Sequence, residues 1–497
     1  MIFIGIGDVV MLKKEKKKIK QKLKKVTIVS RIILAIYLIL TLIVLGTVIS
    51  MNVLPIKYLV PLLIGYVVIT GLFGLFAFKN NFRNWIKIVA DLLFVVLIAI
   101  SSFGLYYLNS TFDMLDDIKV KDYQLVDYYI LVLKDSEMKN IDDLEGYKLG
   151  VYESADKIYE KALKKFDKKV EVQKKKYSSY LSEAEALMDK ETDAIFTSAV
   201  NYSVLTEDVE GFESNVRILG KISIKIDSNV KVKEVDVTKE PFNVYISGND
   251  IYGNIASVSR SDVNIIATVN PNTHKILLTS IPRDFYVQLH GTKGYKDKLT
   301  HAGVYGIDMS VKTIEDLLDI DINYYMRVNF TSLMQLVDAI GGVDVVSDYS
   351  FRTVNGLNFV KGTNHLNGKR ALAFSRERKA FSDGDRQRGK NQQKVLTAIL
   401  SKMLSSTTLI TKYTDILDSL GGSFQTNMPT SKIYNLVNMQ LDKMPTWTFE
   451  SYNLDGKGSS SYTYTYPHQK LYVMEPDENT VKEAMVKIEN IEKDKAN

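Results

Sequence analysis

The sequence predicts an α/β protein carried on three N-terminal transmembrane helices. Three observations lead there. Three apolar stretches, roughly Ile32 to Ile49, Tyr58 to Phe78 and Ile86 to Leu108, are each long enough to cross a hydrocarbon layer of about 30 Å at about 1.5 Å per residue. Beyond them, short β-branched runs alternate with helical periodicity, the pattern of a mixed sheet with helices on its faces. A chain of 497 residues is also long for one core, so more than one folded unit is expected.

The first span follows Lys13 to Lys25, a run of nine lysines against the single acid Glu15. Next to an apolar stretch, that run is a topology signal rather than a nucleic-acid arm. The loop before the third span is basic too, with Lys79, Arg83 and Lys87, whereas the turn between the first two spans carries only Lys57. Basic loops stay inside, so the N-terminus is expected in the cytoplasm and everything after about Asn109 outside the cell. The pattern differs from that of a cleaved signal peptide. Asp91, in the third span, reads as an interfacial acid beside Lys87. The chain has no cysteine, which excludes disulfides and a thiol nucleophile. The expected order is a basic cytoplasmic segment (1–30), three transmembrane helices (31–110), a small extracellular α/β accessory domain (111–238) and a larger α/β domain (239–497).

In the accessory region, Tyr129 to Leu133, Lys148 to Tyr152 and Ala194 to Ser198 read as strands, and Ser154 to Phe166 and Ser179 to Met188 as helices. In the larger domain, Phe242 to Ser247, Val263 to Val269 and Lys275 to Ile281 read as buried strands. Val311 to Leu318 reads as a helix, Tyr324 to Phe330 as a strand, and Thr331 to Ile340 as a helix stopped by Gly341-Gly342. Helical patterns follow at Gly368 to Phe374, Gly389 to Met403, Leu409 to Leu420 and Thr430 to Leu441. Gly456 to Tyr466, rich in Gly, Ser and Tyr, reads as a loop.

Arginine usage singles out one region. Twelve of the 64 basic residues are arginine, and nine of those twelve lie between Arg260 and Arg388. A guanidinium donates two parallel hydrogen bonds to a phosphate, which lysine cannot do. Arg260, Arg283 and the pairs Arg376-x-Arg378 and Arg386-x-Arg388 are therefore candidate pyrophosphate ligands, whereas Arg327, Arg352 and Arg370 read as partners of surface acids. Asp250 ends one predicted strand and Asp262 begins the next. Ligands gather beyond strand ends in such sheets, where two carboxylates hold Mg²⁺ or Mn²⁺ beside phosphate oxygens. Asp284 reads as structural.

These residues also carry a resemblance. Ser259-Arg260-Ser261-Asp262-Val263-Asn264, Ser280-Ile281-Pro282-Arg283-Asp284, Lys298-Leu299-Thr300-His301-Ala302, Leu336 through Val343, Ser375-Arg376-Glu377-Arg378 and Asp385 through Gln393 match, in order, the motifs of the LytR–CpsA–Psr family. The likeness covers essentially all of 241–480. Three spans followed by an extra α/β domain resemble the capsule-associated CpsA branch. The resemblance implies an α-β-α domain with a central mixed sheet. It implies an extracytoplasmic phosphotransferase that moves a wall glycopolymer from undecaprenyl pyrophosphate to peptidoglycan. Asp250 and Asp262 would bind Mg²⁺ (or Mn²⁺). Arg260, Arg283, Arg376, Arg378 and Arg388 would grip the pyrophosphate with Gln392 nearby, and the base would be Asp262 or Asp385. The carrier chain would lie in an apolar tunnel, with Leu333, Leu336 and Val337 as lining or plain core, and His301 is structural. The accessory region is similar to one lobe of extracellular solute-binding proteins, which implies a fold without a ligand and the role of a spacer or docking domain. A membrane regulator or sensor that binds polyprenyl phosphates is the rival reading. A DNA-binding role is not expected, because the cytoplasmic parts show no helix-turn-helix pattern.

Overall fold

A computed structural model describes residues 6–50, 54–78, 84–118, 123–154, 156–227, 233–249, 255–405, 416, 424–467 and 470–495. The chain forms two compact units, Met1–Asp116 with Pro429–Pro445, and Asp117–Met428 with Thr446–Asn497. Lys79, Arg83, Asp250 and nearly all of the predicted helix at 409–420 lie outside the described residues.

The first unit contains helices α1 (Ile6–Ser50), α2 (Ile56–Phe78) and α3 (Asn84–Ile118), together with the helix Thr430–Lys443. Segments Lys25–Ser50, Ile56–Leu75 and Trp85–Tyr106 are long and apolar enough to cross a membrane, and they make this a membrane-anchored chain. An aromatic cluster packs α1, α2 and α3 together, with Phe73 stacked on Phe94 at 3.6 Å and Tyr37 edge-on to Phe94 at 5.0 Å. Asp91, expected beside Lys87, also meets the neighbouring helix. It is buried among the helices and accepts a hydrogen bond from Ser30 Oγ at 3.0 Å, while Lys87 donates to Thr27 Oγ1 at 2.9 Å. A carboxylate within an apolar helix bundle is satisfied there by a polar partner on the facing helix.

The second unit holds two sheets. The accessory sheet is built from β1 (Tyr123–Leu133), β2 (Lys148–Tyr152), β3 (Gln173–Tyr177), β4 (Ala194–Ser198) and β5 (Val216–Asp227), in the order β3-β2-β4-β1-β5. Helices α4 (Lys157–Asp167), α5 (Tyr180–Met188) and α6 (Ala199–Asp208) cover it. Asp156, Ser179 and Ser198 cap their first turns with side-chain oxygens, which is why each helix begins where it does.

The larger sheet has six strands: β6 (Phe242–Gly248), β7 (Val263–Asn270), β8 (Lys275–Ser280), β9 (Tyr324–Val328), β10 (Gln425–Thr426) and β11 (Thr448–Asn453). Their order is β10-β9-β6-β7-β8-β11, with β9 parallel to β6, β11 parallel to β8, and the other neighbours antiparallel. Strand alternation sends Tyr245, Ile266 and Leu277 to one face, against α7 (Ile307–Leu318). Ile246, Ile265, Ile276 and Leu278 go to the other. On that second face lie α8 (Phe330–Ala339), α9 (Gly368–Arg376) and α10 (Asp385–Met403). The C-terminal helix α11 (Glu478–Lys493) joins α7 on the first face. This is the expected mixed α/β class with helices on both faces. An Asn329–Ser332 capping box starts α8, and Gly341 and Gly342, at φ 76° and 77°, stop it.

The stretch read as a loop at Gly456 to Tyr466 is instead largely a strand, Gly456–Tyr462, paired antiparallel with Lys470–Pro476. A Cβ on Gly456 would stand 2.3 Å from the Glu475 carbonyl oxygen. The glycine there permits close backbone approach inside a hairpin, not chain freedom.

Candidate active site

Two cavities meet at the C-terminal ends of β6 and β8. The first, about 210 Å³, runs between the sheet and α8, α9 and α10. Its interior is apolar, lined by Ile246, Ile265, Leu333, Leu372, Val395 and Ile399. Its mouth is polar, formed by Asp262, Arg283, Arg376, Arg378, Arg388 and Gln392. The second, about 180 Å³, shares Asp262, Arg283, Arg388 and Gln392 and adds Asp284, Asp385, Arg386, Asp455 and Lys390. Charged side chains thus partition an oily chamber from a polar one.

Asp262, with a side chain 11% exposed, stands immediately before β7. Its Oδ1 accepts from Arg283 Nη1 at 2.9 Å and from Thr300 Oγ1 at 3.2 Å. Burial alone would raise its pKa, but the charges of Arg283, Arg260 and Arg388 outweigh that and hold the carboxyl well below the usual carboxylate range. Asp385, at the start of α10, stands 3.4 Å from Arg388, 3.8 Å from Arg283 and 3.9 Å from Arg378. One acid therefore ties three arginines together. Burial lowers the pKa of Arg388, and Arg283 beside it adds to the effect. Two guanidinium groups held that close in a buried site call for an anion. Arg376 ends α9 and lies over the Phe330 ring, 4.0 Å from its centroid, which fixes the plane of its guanidinium.

The sequence-predicted residues do not all arrive. Arg260 does not line either cavity; its charge acts on Asp262 from beside it. Arg386 lines the second cavity but not the first. Its Nε donates to Asp455 Oδ1 at 2.6 Å and its Nη2 to Gly456 O at 2.9 Å, because at about 100° per residue two helix positions two apart point to nearly opposite sides. Asp284 is structural as read, bracing Arg283 at 3.6 Å and Lys298 at 3.3 Å. Arg327 is buried, not a surface partner, and donates to Gln425 and to the Ser257 carbonyl. Arg370 donates to the Asn358 carbonyl rather than to an acid. Leu333 lines the cavity, while Leu336 and Val337 are core. His301 is buried and bonded through Nδ1 to Asp297 Oδ1 at 2.6 Å.

Two residues at the site escaped the sequence reading. Thr300 bonds Asp262, though only its place in a matched motif marked it. Asn249 lies 4% exposed against the cavity, and neither its amide oxygen nor its amide nitrogen has a hydrogen-bond partner among the described residues. A buried amide left unsatisfied costs about 1–3 kcal/mol, so it marks a place where a ligand atom belongs. The signal available was its position next to Asp250 at the end of β6.

A six-stranded mixed sheet between helix layers, with an arginine-walled apolar cavity at its strand ends, defines the class. The model of the LytR_cpsA_psr family matches residues 214–480, more than half of the chain, and the chain belongs to that family. It is 39% identical over 210 residues to the polyisoprenyl-teichoic acid–peptidoglycan teichoic acid transferase TagU of Bacillus cereus (strain AH820), covering 42% of this chain and 68% of that one. The same transferase of Bacillus mycoides (strain KBAB4) is 39% identical over 212 residues, with the same coverage. The crystal structure of B. subtilis TagV superposes with a TM-score of 0.43 at 29% identity, over 51% of this chain and 97% of that one. A second family model, DNA polymerase processivity factor, matches residues 67–197, well under half of the chain and beginning inside α2.

Proposed function

We propose that this chain transfers a glycopolymer from a polyprenyl-pyrophosphate carrier to peptidoglycan, forming a phosphodiester. The observation that carries the reading is the arginine wall at the mouth of an apolar cavity, which suits a ligand that is hydrocarbon at one end and diphosphate next to it. Each methylene buried in the chamber contributes roughly 0.8 kcal/mol, and Arg283, Arg376, Arg378 and Arg388 hold the phosphates. The names of the transferase relatives support this substrate class.

The acceptor hydroxyl enters from the polar cavity and attacks the sugar-proximal phosphorus. The new P–O bond forms as the bond to the lipid-side phosphate breaks, and polyprenyl phosphate leaves. Its developing negative charge falls to Arg388 and Arg283, so catalysis is positioning and charge stabilisation. Of the two candidate bases, Asp262 is held so acidic that it takes a proton poorly; Asp385, which faces the polar cavity, receives the hydroxyl proton.

A cation fits the donor set. The Asp262 carboxylate and the orphaned Asn249 amide oxygen are hard oxygen ligands, and Mg²⁺ is commonly held by one or two carboxylates plus substrate phosphates. Asp250 completes the set on the sequence reading. When bound, Mg²⁺ (or Mn²⁺) supplies positive charge to the phosphate oxygens. The polymer is capsular polysaccharide on the likeness of the three-span, accessory-domain layout to the CpsA branch, and the charge pattern around the spans favours a cytoplasmic N-terminus with residues 111–238 and 239–497 outside.

The test uses the full chain in vesicles with a synthetic polyprenyl-pyrophosphate glycan, wall fragments and Mg²⁺. Release of polyprenyl phosphate that falls at least 100-fold in both Arg378→Ala and Asp262→Ala supports the reading. Wild-type release in both variants contradicts it. Donors of capsular and teichoic type, run in parallel, decide the polymer.

A further inference from the structure

The segment 255–258 leads directly into Arg260 and Asp262, and it is an irregular stretch with all four residues buried. A buried irregular segment must find partners for its backbone polar groups. Here an accessory strand supplies them. Leu125 N, on β1, donates to Ala256 O at 2.9 Å, and Val258 N donates to Leu125 O at 2.6 Å. Leu125 and Ser257 form a parallel bridge.

Side chains lock the same junction. Ser257 Oγ donates to Asp127 Oδ2 at 2.8 Å. The Asp127 side chain is 3% exposed and also accepts from Ser223 and Lys221 within its own sheet. Buried Gln124 accepts from Ile307 N at 3.0 Å, satisfying one of the free amides at the start of α7. Gly306 leaves room for it, since a Cβ there would come within 2.9 Å of the Gln124 amide. Beyond the segment, Ser261 N donates to Thr300 O at 3.1 Å, and Thr300 in turn holds Asp262.

We propose that β1 of the accessory domain is a built-in clamp for the active-site segment, with Asp127 and the Leu125 backbone as positioning residues that act through Arg260 and Asp262. The accessory domain is then neither a spacer nor a separable sensor: it completes the site. This rests on the transferase reading above.

The experiment compares the full chain with Ser257→Ala, Asp127→Ala, Asp127→Asn and Arg378→Ala. It reads amide exchange over 255–262, kcat per folded molecule with the synthetic donor, and the thermal midpoint. The clamp predicts that Ser257→Ala and Asp127→Ala speed exchange at least tenfold and lower kcat at least tenfold, with the midpoint within a few degrees of wild type. Asp127→Asn, which keeps the acceptor oxygen, restores both. Wild-type exchange and kcat in Ser257→Ala and Asp127→Ala overturn the clamp. If Asp127→Ala does not fold, Ser257→Ala, which removes only one hydroxyl, decides alone. Arg378→Ala separates the two claims: full turnover there sinks the transferase reading, whereas loss there with unaffected clamp variants sinks only the clamp.

Discussion

At the scale of single residues, geometry distinguishes arginine from a generic positive charge. Arg388, 13% exposed on its side chain, sits on both cavities and close to Asp385. Arg388→Lys keeps the charge but loses the planar fork, and a charge-assisted hydrogen bond is worth about 1.5–3 kcal/mol. Transfer is expected to fall roughly 10- to 100-fold in kcat/KM, measured by polyprenyl phosphate release. Asp262 sets a pH dependence whose sign follows from its depressed pKa. A carboxyl more acidic in the folded than in the unfolded chain stabilises the fold fully above the unfolded pKa of about 3.9. That contribution is lost as pH falls through the lower, folded value. Asp297, also depressed because bonds and charge from His301 with bonds from Thr465 outweigh burial, acts in the same direction. Thermal midpoints measured from pH 6 down to pH 2 should fall, and should fall less steeply in Asp297→Asn. A slope unchanged in that variant would contradict the assignment.

At the scale of elements, strands and helices were legible wherever period and punctuation agreed. Val263–Asn270 and Lys275–Ser280 could be read because both faces of the sheet are covered, leaving near-continuous apolar runs. The Asn329 cap and the Gly341-Gly342 stop framed α8 in the sequence itself. The hairpin strand Gly456–Tyr462 was not legible, because its serines and glycines earn their place through backbone pairing that composition does not record. Of the site, the arginine enrichment was readable, but which arginines reach the apolar cavity was not: Arg386 and Arg388 differ by two positions, both line the second cavity, and only Arg388 lines the first. The turn behind the site makes a further prediction. Gly303 has an ordinary helical φ, yet a Cβ there would lie 2.6 Å from Ser259 O and 2.9 Å from Ser261 N, both backbone atoms. Gly303→Ala should displace the 259–262 segment and lower kcat at least tenfold, with the helices of the membrane unit unaffected by circular dichroism or protease mapping.

At the scale of the whole molecule, three helices long and apolar enough to cross a membrane anchor the chain, and on the proposed function its carrier comes from that same bilayer. The absence of cysteine makes the orientation directly measurable. Lys457→Cys, on an exposed strand, should react in intact cells with a maleimide that cannot cross membranes, while Lys18→Cys, in the basic run, should react only after lysis. The opposite pattern would invert the topology inferred from charge. Nothing in composition foretold that the accessory sheet and the larger domain share a buried junction. Leu125, Asp127 and Ser257 are ordinary strand and loop residues, and only their contact reveals them.

On the proposed function, guanidinium groups at the mouth of an oily chamber hold a diphosphate while the bond from its sugar-proximal phosphorus to the bridging oxygen is broken. The most direct measurement follows the phosphorus. A donor labelled with ³²P at the sugar-proximal position is incubated with the full chain, wall fragments and Mg²⁺, and the label is traced after a single turnover. The label should appear in the wall, in a phosphodiester, with unlabelled polyprenyl monophosphate released. Label recovered on the lipid as polyprenyl diphosphate, with glycan joined to the wall without phosphorus, would mean that the sugar bond breaks instead, and the account would be wrong.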